Sequence, residues 1–142
     1  MKRHVVGLLI TMMGLLMQAP AASAQQNPIV GVWSYSAYRS DGQQSHAFFF
    51  QFGPDGRFRQ QMVIPGLTQN YVGAYQLSPD LGTLSLIYYD YDPKQDCRYG
   101  ACYPIRPIVA MNSPINAQIR FLSTARFEMM DASGPMLWVR AQ

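Results

Sequence analysis

From about residue 30 onward the chain is written in a period of two. In residues 45–52, SHAFFFQF, the side chains of His46, Phe48, Phe50 and Phe52 fall on one face. Successive side chains of a strand point to opposite sides, so this pattern specifies a ribbon with one buried and one wet face. Residues 57–64 repeat it, with Phe58, Gln60, Met62 and Ile64 on one side and Arg57, Arg59 and Gln61 on the other. Residues 70–77 place Tyr71, Gly73, Tyr75 and Leu77 together, and residues 83–91 do the same for Leu84, Leu86 and Tyr88. Ile115, Ala117, Ile119 and Phe121 alternate with polar residues in 115–123, as do Phe127 and Met129 in 126–131. The runs are separated by SDGQ, GPDG, PG, SPDLG, NSP and DASGP, in which Gly supplies positive φ, Pro fixes φ, and Asp or Asn bonds its own backbone. With residues 30–38 and 136–141 added, eight antiparallel strands are expected. Residues 106–111 are weakened by Pro104 and Pro107 and are assigned to an edge or loop. No stretch after residue 24 combines helical period with caps. The fold class is therefore all-β. Eight strands in chain order with short links close into an up-and-down barrel or split into a sandwich, and the meander spacing favours the barrel.

The first 24 residues follow a different logic. Lys2, Arg3 and His4 precede an apolar run from Val5 to Met17, and Ala22-Ser23-Ala24 closes a small-residue segment. That order is the signature of a secretory signal peptide, and about 13 apolar residues are too few to span a hydrocarbon core of roughly 30 Å. Removal of residues 1–24 would leave 25–142 as a single exported domain, periplasmic or secreted, without a membrane span. It would also leave nine basic against eight acidic residues, a net charge of +1 instead of +3. The apparent basicity is mostly targeting, and a nucleic-acid partner is not expected.

Reactive side chains are scarce in that domain. His46 is its only histidine and Glu128 its only glutamate, while Asp55, Asp80 and Asp131 sit in turns. A triad or a pair of facing carboxylates has too few members, and no phosphate or dinucleotide motif occurs. The chain reads as a non-enzyme without a cofactor. Cys97 and Cys102 lack two further zinc ligands, and Asp90, Asp92 and Asp96 in DYDPKQD lack the glycine and closing glutamate of a calcium loop. In an exported chain, two cysteines across a short polar spacer instead indicate a Cys97–Cys102 disulfide.

Gly31-Val32-Trp33 at the start of the first strand, and Trp138 and Arg140 in LWVR of the last, resemble the ends of lipocalin and lipocalin-like barrels. FQFGPDGRF and GAYQL resemble the hairpins of short bacterial members. The resemblance implies a barrel whose floor is plugged by Trp33, with Gly31 beside it and Arg140 packed across the indole. An eight-stranded barrel is filled by its side chains or holds one small ligand. The alternation assigns the lining to His46, Phe48 and Phe50, then Phe58 and Met62, then Tyr71 and Tyr75. Leu86 and Tyr88 continue it, and Phe121, Phe127 and Met129 complete it, with Gly73 and Ala117 as gaps. Two functions follow. One is carriage of a small apolar or amphipathic ligand, with Tyr88 and the loop from Asp90 to Pro107 as a lid. The other is a protein- or glycan-binding module presenting Tyr89, Tyr91, Tyr99 and Tyr103 on the stapled loop.

Overall fold

The computed structural model describes residues 27–131 and 134–141. The signal-peptide assignment of residues 1–24 and part of the DASGP turn lie outside them. The described chain is all β. Its strands are β1 (Gly31–Tyr38), β2 (Gln44–Phe52), β3 (Arg57–Ile64), β4 (Leu67–Leu77) and β5 (Thr83–Asp92), then a short pair, β6 (Gln95–Arg98) and β7 (Ala101–Pro104), then β8 (Pro114–Ser123), β9 (Arg126–Asp131) and β10 (Gly134–Arg140).

Eight of these strands close a barrel in the order β1-β10-β9-β8-β5-β4-β3-β2, and β6 and β7 pair only with each other. Every pairing between strands is antiparallel, and chain neighbours are sheet neighbours except where β8 follows β5 and β10 meets β1. The up-and-down barrel is thus the outcome and the sandwich is not. The closing seam is short: β1 and β10 pair only at Trp33–Arg140 and Ser34–Val139, near the floor.

The alternation runs through the register. Phe52 faces Phe58, Phe50 faces Gln60, and Gln60 in turn faces Tyr71, so one face of three consecutive strands points inward. The interior is filled by rings. Phe50 and Phe52 stack at 4.9 Å, Tyr75 meets Phe52 edge-on at 4.8 Å, and Tyr88 meets Phe58 edge-on at 5.0 Å. Phe127 packs at 4.7 Å on Trp33 and at 6.0 Å on Trp138. The gap expected at Gly73 is occupied: a Cβ there would come within 2.7 Å of the Phe58 ring and collide with the Ile87 carbonyl. Phe58 has taken the volume that the missing side chain leaves, as interior packing demands.

The floor is closed by the chain's own start. Residues 27–30 pass beneath the barrel, with Ile29 fully buried, and the Trp33 indole donates to the Ile29 carbonyl at 2.7 Å. The Arg140 guanidinium lies 4.3 Å from the Trp33 ring centre. It donates to the carbonyls of Val30 at 2.7 Å, Pro28 at 2.8 Å and Thr124 at 2.9 Å, tying the entering segment to the β8–β9 turn. Gly31 has φ of +135°, and any Cβ there would strike the Arg140 fork. Only glycine meets both conditions.

Candidate functional site

The end of the barrel opposite Trp33 carries the longest connection, from β5 to β8. It leaves β5 after Asp92 and forms the β6–β7 hairpin. Cys97 and Cys102 face each other across that hairpin and form a disulfide with Cα atoms 4.0 Å apart. Tyr99 and Gly100 make its two-residue turn, both with positive φ (54° and 81°), the conformation that matches the twist of a tight hairpin. A two-stranded hairpin is marginal alone, and the covalent cross-link supplies what packing does not.

Residues 105–111 then return across the mouth as a strap. Three inward-facing side chains hold it. The Tyr91 hydroxyl donates to the Ile105 carbonyl at 2.9 Å, Gln69 donates to the Arg106 carbonyl at 3.2 Å, and the Ile108 amide donates to the Tyr71 hydroxyl at 3.0 Å. The Tyr71 hydroxyl in turn donates to the Gln69 side-chain Oε1 at 2.8 Å, which completes a chain of satisfied groups beneath the strap. Gln69 is only 1% exposed, an amide that burial tolerates because both its ends are bonded. Val109 and Met111 pack on the core, Met111 bridges to Tyr88, and the Asn112 amide donates to the Tyr88 carbonyl. Burial raises the phenol pKa of Tyr88 strongly and that of Tyr71 less, so both stay neutral far into alkaline solution.

Among the described residues every side chain that bonds the strap belongs to β4 or β5. The other half of the mouth is bordered by Tyr35, His46, Phe48 and Met136, each half-buried. His46 and Phe48 lie 5.0 Å apart, and Tyr35 lies 5.9 Å from each of them. Below them stands Trp138, with its ring 5.7 Å from Tyr35 and 5.0 Å from Phe50. It is 1% exposed, yet its indole N–H meets no acceptor among the described residues, and the side-chain Oε1 of buried Gln60 meets no donor. Gln60 pairs in register with Phe50 on one side and Tyr71 on the other, so Gln60 and Trp138 both neighbour the same phenylalanine. A buried polar group without a partner costs about 1–3 kcal/mol.

The lining residues named from the alternation all lie on the inner side of the barrel, but at three levels. Phe58, Tyr75 and Phe127 pack near the floor, with the Tyr75 hydroxyl on the Gly53 carbonyl, and Phe121 stands beside Phe127. Phe50, Tyr71, Leu86 and Tyr88 fill the middle. Only His46 and Phe48, with Met62 and Met129 just beneath, belong to the mouth. The tyrosine loop does not act as a unit either. Tyr99 is fully exposed at the hairpin tip and Tyr103 is 64% exposed, whereas Tyr89 projects from the barrel's outer wall. Tyr91 departs from the surface role expected of it. Its ring stacks on Tyr71 at 6.0 Å and its hydroxyl holds the strap. The cause is a β-bulge: Gly73 faces Tyr88, Val72 faces Asp90, and the extra residue, Tyr89, shifts the phase so that Tyr88 and Tyr91 both point inward.

Nδ1 of His46 lies 3.0 Å from the Ser45 hydroxyl, which also donates to the Ala37 carbonyl. Asp90 pairs with Lys94 at 2.7 Å and Asp96 with Arg98 at 2.8 Å, so two of the three loop acids are matched by neighbouring cations. Among the described residues no three His, Cys, Asp or Glu side chains converge as metal ligands, and no helix is long and apolar enough to cross a membrane. The disulfide points to an oxidising environment. No family model matches the chain, and neither a curated protein nor a solved structure matches it.

Proposed function

We propose that this protein is an exported, non-enzymatic barrel of lipocalin-like type that binds a small, neutral, amphipathic molecule at its half-covered mouth. The observation that carries this reading is the buried indole N–H of Trp138, unpartnered directly below the Tyr35–His46–Phe48 cluster. A flat ligand that parts those rings and inserts between them would accept from the Trp138 N–H, satisfying the donor and covering the apolar rim together. The filled lower barrel limits depth, so a molecule of one or two rings fits this reading and a long acyl chain does not. Export rests on the order of residues 1–24 and on the disulfide.

The test uses the chain's two indoles as internal reporters. In a ¹⁵N-correlated NMR spectrum, Trp138→Phe identifies which indole signal belongs to Trp138. Titration with 2-naphthol, neutral at pH 7, is expected to move the Trp138 indole proton downfield while the Trp33 proton, already bonded to Ile29, stays in place. Movement of neither, or of both equally, would count against the mouth as the site. A second reading is favoured by the hairpin, whose tip offers Tyr99 and Tyr103 to solvent on a covalently fixed turn. In that reading a protein or glycan partner docks on the hairpin, and the indole signals do not respond.

A further inference from the structure

The outer wall of the barrel carries a groove that is separate from both the mouth and the hairpin. Two hollows, of about 850 Å³ and about 400 Å³, adjoin on strands β1 to β5 and share Gln51, Arg59 and Val72. The first is bounded by the β2–β3 turn at Gly53 and Gly56 and by Tyr89, and the second reaches Phe49, Gln61 and Asn70. The bulge that turns Tyr91 inward also sets Tyr89 out on this wall, 54% exposed, while Phe49 and Val72 are about 40% exposed beside it.

The groove's polar groups are almost all planar. Gln51, Gln61 and Asn70 offer side-chain amides, with Gln61 donating to Asn70 at 3.1 Å, and Arg57 and Arg59 offer guanidinium forks. The local charges are unequally matched. Arg57 has Asp55 at 3.9 Å, and Asp90, opposite Val72, is held by Lys94. Among the described residues Arg59 has no carboxylate within ion-pair distance, so the groove keeps one uncompensated cation between an aromatic face and a row of amides.

We propose that this groove binds an acidic oligosaccharide, with a ring carboxylate on Arg59 and a sugar face against Tyr89. A guanidinium fork matches a carboxylate in two parallel hydrogen bonds. The amides donate to and accept from hydroxyls, and the exposed phenol ring covers the C–H face of a pyranose. A peptide strand is a poorer occupant, because β2, β3 and β4 are each paired on both sides and no backbone edge is open to extension.

Trigalacturonate and its fully methyl-esterified form, which keeps the size and removes the charge, distinguish the elements of this assignment. With the ¹⁵N-labelled protein, the acid is expected to shift the backbone amides of Arg59, Val72 and Tyr89. Esterification or Arg59→Gln should weaken binding about tenfold, and Tyr89→Ala should weaken it similarly. Added salt should weaken the acid only. Thermal unfolding of both variants should match the wild type, since both side chains are exposed. No shifts up to roughly 10 mM acid, equal binding of acid and ester, or shifts confined to the mouth or to the hairpin would each overturn the proposal. The mouth reading is independent of all these outcomes.

Discussion

Removing the Arg140 fork tests how the barrel is closed. The side chain carries three hydrogen bonds and a stacked cation at once, and it joins residues 27–30, the β8–β9 turn and the Trp33 plug. The stacking on Trp33 is worth about 0.5–2 kcal/mol. Hydrogen bonds from a charged donor contribute about 1.5–3 kcal/mol each. They are not additive, because Arg140→Leu lets water reach the freed carbonyls of the partly buried segment. A loss of about 3–5 kcal/mol is therefore expected, a large share of the 5–15 kcal/mol that holds a typical domain together. For a barrel of this size that is a fall of roughly 10–20 °C in Tm. Urea unfolding followed by tryptophan fluorescence and by far-ultraviolet circular dichroism measures it. Arg140→Lys keeps the charge and loses the fork, so it should recover less than half of the difference. If Arg140→Leu unfolded within about 1 kcal/mol of the wild type, which is the scale of an ordinary surface substitution, the closure described here would be wrong.

Other perturbations act on the strap, the tyrosines and the hairpin. Tyr71→Phe removes the acceptor of the Ile108 amide and the donor to Gln69, so it should cost about 1–3 kcal/mol and speed hydrogen exchange at Ile108 before it unfolds the barrel. Because burial raises the Tyr88 pKa above its ordinary value of 10.0, the unfolded chain loses that proton first. Stability is then full below pH 10 and falls above it by about 1.4 kcal/mol per pH unit from this residue. Tyr71 and Tyr75 shift in the same direction and steepen the fall, which alkaline urea titrations would show. Reduction of Cys97–Cys102, or the double Cys→Ser variant, should cost at most about 2 kcal/mol in the chain-entropy account. It should leave the barrel's circular dichroism nearly unchanged, because β6 and β7 lie outside the closed sheet.

The parts of this structure that were legible in advance are those set by local period and by short turns. Strands β3 and β9 fall on the residues that alternation assigns, and Gly31, Trp33 and Arg140 meet as the resemblance at the two ends implied. What stayed hidden depends on partners far away in the chain. The bulge at Tyr89 lies opposite Gly73, where the β4–β5 register shifts and the Phe58 ring fills the space, so alternation alone sends Tyr91 to the wrong side. Gln69 lies outside the alternation of residues 70–77, and only the returning strap 37 residues later makes it a buried anchor. The β6–β7 hairpin is masked by its own composition, since Cys, Tyr, Gly and Pro carry no two-residue hydrophobic period. Trp138 was recognisable as a last-strand residue. That its N–H lacks an acceptor follows from the packing of Tyr35, Phe48, Phe50 and Phe127 around it, which no single segment specifies.

The central claim is that a small molecule occupies the mouth. Native mass spectrometry of the protein isolated without denaturation from its own cells tests it most directly. The account predicts a population heavier than the bare chain by one small neutral molecule, lost on gentle activation and absent from Trp138→Phe. A chain that is always bare, or one always accompanied by a stoichiometric protein, would contradict it.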